Sequence, residues 1–153
     1  MSDPRAAAPA TLPHPYAGDV GPGECWALLE REPSAQLVDV RTEAEWTFVG
    51  VPDLGRLGRS VLLCEWQRFP SASNPDFVRD VVAALARTAY RVGLPLLFLC
   101  RSGGRSRSAA IAMTNAGYGP SFNIADGFEG ALDGGQHRGC RGWKAEGLPW
   151  IQS

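Results

Sequence analysis

Short apolar runs alternate along this chain with stretches whose apolar residues recur every three or four positions. Val20 closes a short edge strand, and Pro22 is placed as the first residue of a helix to Arg31 with Cys25, Leu28 and Leu29 on one face. Pro33 and Ser34 break that helix, and Gln36 to Val40 reads as a buried strand. Thr42 to Glu45 fits a capping box, which predicts a brief helix through about Phe48. Ser60 to Cys64 reads as the next strand. From Asn74 and Pro75, a helix is expected to about Arg91, its face formed by Phe77, Val78, Val81, Val82, Leu85 and Ala89. Leu96 to Leu99 is a strand buried on both faces, Ser106 to Asn115 an Ala-rich helix stopping at Gly117, and Ser121 to Ile124 a last strand. Strands alternating with helices predict one α/β domain with a mostly parallel sheet and helices on both faces.

Length agrees with that picture, since 153 residues suffice for one such domain and not for two. The expected division is a tail over residues 1–15, rich in Pro and Ala, followed by the domain over 16–150. Trp143 and Trp150, near the end, are expected to pack on the domain. A formal charge of −1 and 20% charged residues give no nucleic-acid footprint. No run approaches the ~18 apolar residues of a membrane span, and Asp3 near the start argues against a secretory signal. The expected location is therefore the cytoplasm, with neither nucleic acid nor membrane as partner.

Four cysteines, Cys25, Cys64, Cys100 and Cys140, show no metal-ligand spacing with the two histidines, so no metal site is expected. Cys25 and Cys64 fall on core faces. Two roles are open for Cys140, a resolving thiol for Cys100 or an exposed loop cysteine. Cys100 stands apart. It ends the most apolar strand and opens the loop Cys100-Arg101-Ser102-Gly103-Gly104-Arg105-Ser106 before a helix. Backbone N–H groups and the positive end of a helix dipole converge there, which favours a thiolate, the reactive form of the side chain. Between Val81 and Ala125 there is no Asp or Glu, while Arg87, Arg91, Arg101, Arg105 and Arg107 fall in that interval. The field is biased positive and suits an anionic substrate.

The loop from Cys100 to Arg105 resembles the active-site loop of rhodanese-type sulfurtransferases, in which a cysteine opens a short loop closed by a basic residue. Cysteine-dependent phosphatases of similar fold use a loop one residue longer, and Ser106 stands where their arginine would fall. Asp39-Val40-Arg41, with the acidic and aromatic residues after it, is similar to the first characteristic stretch of rhodanese domains, and Gly127 to Gly130 to a later glycine- and aromatic-rich loop. The family's His-Ile-Pro-Gly turn is replaced by Val49-Gly50-Val51-Pro52, which lacks the histidine.

The resemblance implies a rhodanese-like three-layer domain with a five-stranded sheet, and a sulfurtransferase needing no cofactor. Cys100 would be the catalytic residue, carrying sulfane sulfur as a persulfide from a thiosulfate-like anionic donor to a thiol or cyanide-like acceptor. Arg101, Ser102, Gly103, Gly104, Arg105 and Ser106 would bind the donor. Trp66, Phe69, Phe128 and Glu129 are candidates for the pocket wall, with Trp66 and Phe69 equally suited to capping the core. Arg101 favours a thiosulfate-like donor over 3-mercaptopyruvate. The alternatives are a relay taking sulfur from a protein partner such as a sulfur carrier, and a non-catalytic anion-binding or interaction module.

Overall fold

A computed structural model describes residues 15–152, so the expected tail lies, apart from Pro15, outside the described residues. Five strands form the central sheet: β1 (Gly18–Val20), β2 (Gln36–Asp39), β4 (Leu62–Leu63), β7 (Leu96–Leu99) and β8 (Ser121–Ile124). Their spatial order is β1-β8-β7-β2-β4, and every pairing is parallel. The helices are α1 (Pro22–Arg31), α2 (Glu43–Val49), α3 (Phe77–Leu85) and α4 (Gly104–Asn115).

Successive side chains of a strand point to opposite faces, so β2 and β7 feed two cores. Val38, Leu96 and Phe98 meet Phe77, Val81 and Leu85 of α3 and Ala109, Ala110 and Met113 of α4 on one side. Leu37, Leu97 and Leu99 meet Cys25 and Leu29 of α1, with Ile124, Phe128 and Trp143, on the other. A sheet covered on both faces explains why its central strands are continuous apolar runs. Burial pushes the Cys64 thiol up to about 11, with Asp80 adding to the rise and Arg87 opposing it, and burial raises Cys25 well beyond that. Both are plain core thiols.

Several elements differ from expectation. The ladder between β2 and β4 spans only Leu62 and Leu63, after which single bonds from Cys64 N–H to Asp39 and from Trp66 N–H to Val40 carry the edge onward. Asn74 does not open a helix. Its carbonyl accepts from Asp76 N–H while its amide donates to Glu65 and Asp80, an Asx-type clamp that delays α3 to Phe77. At the other end, the Thr88 hydroxyl and N–H both donate to the Leu85 carbonyl and close the helix there, short of Arg91. In α4 the start comes two residues early, because Gly103 with φ 118 reverses the chain inside the loop.

Beyond the main sheet, β3 (Val51–Pro52) pairs antiparallel with β9 (Trp150–Ile151), and β5 (Gln67–Arg68) with β6 (Ala72–Ser73). Trp143 is fully buried, and its indole N–H donates to the Pro149 carbonyl at 2.7 Å. The C-terminal segment is thereby tied to the α1 side of the domain. Among the described residues no helix is long and apolar enough to cross a membrane.

Candidate active site

Cys100 follows β7 at the carboxyl edge of the sheet, where open parallel sheets bind ligands. Its side chain is enclosed, at 1% exposure. The sulfur accepts the Gly103 N–H at 3.1 Å and lies 3.1 Å from the Ser106 hydroxyl, in the first turn of α4. The helix dipole and the Gly103 N–H place partial positive charge at the sulfur. Ser106 is itself 2.6 Å from the Asn123 carbonyl, and the Asn123 amide donates to Asp19 at 3.0 Å.

Arg105 is not a free anion site. Its guanidinium donates twice to Glu45 of α2, at 2.7 and 3.0 Å. That pairing offsets the charge expected to attract the donor, while the side chain still lines the cavity beside the loop. Thr42 caps α2 and donates to the same carboxylate through its N–H and hydroxyl. Burial works against a charged Glu45, yet the hydrogen bonds from Arg105 and Thr42 outweigh it and hold the group down at about 2.

A cavity of about 540 Å³ opens beside the loop. Arg101, Arg105, Glu129 and Phe69 line it, as do Phe48 and Arg138, two residues that sequence reasoning did not place there. Arg138 sits in a glycine-rich loop without periodicity, and its bond to the Gly130 carbonyl eight residues earlier, at 2.8 Å, fixes its position. Phe48 ends the apolar side of α2 and is 78% exposed, while Phe69 is 73% exposed. Such exposed rings at a pocket mouth are the visible signal.

Two candidates for the wall lie elsewhere. Trp66 packs edge-on against Phe77, ring centres 5.0 Å apart, and so caps the α3 core. Phe128 is fully buried, with the Arg41 guanidinium 4.2 Å above its ring. Ser102, Gly103, Gly104 and Ser106 shape the loop rather than the cavity.

Asp39 and Arg41 form a fully buried pair at 2.6 Å, and Arg41 also donates to the Gly50 carbonyl at 2.7 Å. This joins the end of β2 to the turn after α2 and, through Phe128, to the loop behind Cys100. Gly127 closes that junction: Phe128 N–H donates to Cys100 and Glu129 N–H to Arg101, at 2.9 and 3.0 Å. Cys140 is an exposed loop thiol donating to Asp133 at 3.5 Å. Among the described residues no group of His, Cys, Asp and Glu is arranged to hold a metal ion.

The arrangement encloses the Cys100 sulfur beside a cavity whose lining joins Arg101, Arg105 and Arg138 to Glu45, Glu129 and the rings of Phe48 and Phe69. Known proteins of this shape are similar in sequence as well. The M. tuberculosis protein Rv0390 superposes with a TM-score of 0.82 at 49% identity, over 90% of this chain and 99% of that one. A rhodanese-like domain protein from Staphylococcus aureus shares the fold, with a TM-score of 0.51 at 18% identity, over 89% of this chain and 99% of its own. An uncharacterised protein of Rickettsia conorii is 37% identical over 127 residues, 83% of this chain and 91% of its own. The chloroplastic protein Thylakoid Rhodanese-like of Oryza sativa is 30% identical over 140 residues, 89% of this chain and 25% of its own length. With the rhodanese-like domain model matching residues 21–133 as well, the chain belongs to the rhodanese-like domain family.

Proposed function

We propose that the protein is a sulfurtransferase that carries sulfane sulfur on Cys100. The observation behind this reading is the position of the sulfur, held by the Gly103 N–H at 3.1 Å in front of α4 and next to the cavity lined by Arg101 and Arg138. The Cys100 thiolate attacks the outer sulfur of a thiosulfate-like donor. A bond forms between the two sulfurs, the donor's own sulfur–sulfur bond breaks, and sulfite leaves with the electron pair. A thiol or cyanide then attacks the terminal sulfur of the persulfide and regenerates the thiolate. The Gly103 N–H and the helix terminus are in place before the reaction, so they favour the anionic sulfur without reorganising.

A second reading keeps Cys100 and replaces the small donor with a protein. The exposed rings of Phe48 and Phe69 at the cavity mouth favour it, since apolar surface there suits a docking partner. Intact mass after incubation with thiosulfate separates the two. Under the first reading wild type gains one sulfur atom, loses it to cyanide, and Cys100→Ser gains none. No gain in folded wild type overturns the small-donor reading, and loading from a persulfidated carrier protein then tests the second.

A further inference from the structure

The hydrogen-bond chain behind Cys100 has a direction. Tyr16 donates to Asp19 at 2.8 Å, Asn123 donates to the same carboxylate oxygen at 3.0 Å, and the Asn123 carbonyl lies 2.6 Å from the Ser106 hydroxyl. Ionised Asp19 only accepts, so the Asn123 amide must face it with Nδ2 and turn Oδ1 to Ser106. Ser106 has one hydrogen. At 2.6 Å from a buried carbonyl that hydrogen belongs to Asn123, which leaves the Ser106 oxygen facing the Cys100 sulfur as an acceptor.

We propose that Asp19 is a positioning residue for Cys100, orienting Asn123 and Ser106 so that the chain accepts the proton of a resting thiol and withholds its last donor from the thiolate. The thiolate then keeps only the Gly103 N–H and faces the Ser106 lone pairs, unless Ser106 turns and leaves the Asn123 carbonyl unpaired. Once a persulfide forms, the inner sulfur carries neither proton nor full charge, and the chain returns to its resting direction. The device resists the free thiolate and tolerates the loaded enzyme.

The substitution Asp19→Asn supplies a donor at the far end. The chain can then reverse: the new carboxamide donates to the Asn123 carbonyl, the Asn123 amide to Ser106, and the Ser106 hydroxyl to the sulfur. Asp19 is exposed at the edge of the sheet, so the substitution leaves the core untouched. The other charges around the sulfur stay in place: Arg101 in the loop, Arg105 with its partner Glu45 and neighbouring Asp39, and Arg107 facing Tyr16.

The inference rests on Cys100 being the reactive sulfur, but its test does not require sulfur transfer. In a Cys140→Ser background, the pH profile of Cys100 alkylation by iodoacetamide is compared for wild type, Asp19→Asn, Ser106→Ala and the double variant, with the modified peptide identified by mass. Asp19→Asn is expected to move the profile to lower pH and to raise the rate on its acid limb about fivefold, as one hydrogen bond would. In the Ser106→Ala background the same substitution should have no such effect. An equal shift in both backgrounds would show that Asp19 acts through its charge alone, and no shift in either would remove its role; each result overturns the proposal. Absence of sulfur loading with the shift intact would instead count against the proposed activity and leave the chain's direction standing.

Discussion

Arg105 and Glu45 face each other through two parallel hydrogen bonds of 2.7 and 3.0 Å, and so tie the first turn of α4 to α2 across the mouth of the site. Sixty positions separate them in sequence, and neither helix alone has a reason to sit where the other needs it. Bidentate geometry and limited exposure make this pair stronger than an ordinary surface ion pair. Its sign with pH follows from Glu45, held at about 2 in the fold against an ordinary value of about 4.3 in the unfolded chain. The unfolded chain therefore binds this proton first as pH falls. Stability from the pair is fully present above about pH 5 and is lost progressively toward pH 2.

That linkage makes Glu45→Gln informative. Urea unfolding at pH 6 is expected to show the variant less stable than wild type by about 1–2 kcal/mol, with the gap narrowing by pH 3 as wild type loses its advantage. A gap independent of pH would mean that the pair acts by packing and not by charge.

With Arg105 paired to Glu45, the remaining positive charge at the cavity comes from Arg138, which is tied to the Gly130 carbonyl, and from Arg101, which is exposed and lines the cavity. Arg101→Gln is expected to lower kcat/KM for thiosulfate by about three- to tenfold at low ionic strength, with unfolding unchanged. The deficit should shrink above about 0.3 M salt, where screening reduces the attraction in wild type. A deficit unchanged by salt would assign Arg101 to the shape of the loop instead.

How much of this was legible in the sequence depends on the range of the interaction. Pro22, the Thr42 capping box and the four apolar residues before Cys100 act locally, and the structure follows them closely. The cysteine loop was legible because consecutive residues build it. What escaped depends on contacts between distant segments. Glu45 seemed only a capping residue until α4 brought Arg105 to it, and Phe128 turned inward because Arg41 covers its ring. Asn74, read as a helix start, is held instead by Glu65 and Asp80. The strand at Trp150 and Ile151 has no pattern of its own, since two residues pairing with a turn leave no periodicity.

Gly127 concentrates these distant contacts on one backbone position. Its φ is +59, and a Cβ built there would lie 2.5 Å from the Cys100 carbonyl oxygen and 2.6 Å from that of Arg101. Both obstacles are backbone, so no rotamer change can clear them. The neighbouring N–H groups of Phe128, Glu129 and Gly130 donate to those same two carbonyls, at 2.9, 3.0 and 3.2 Å. A methyl group at Gly127 must push the 127–130 loop away, break those bonds, or displace the start of the cysteine loop. Gly127→Ala is therefore expected to cost about 2–4 kcal/mol and, where the variant remains folded at low temperature, to slow alkylation and sulfur loading at Cys100. Gly134→Ala serves as the comparison, because its Cβ would meet nothing within 4 Å and its backbone is not left-handed. Equal stability and equal Cys100 reactivity in the two variants would show that the loop does not position the cysteine.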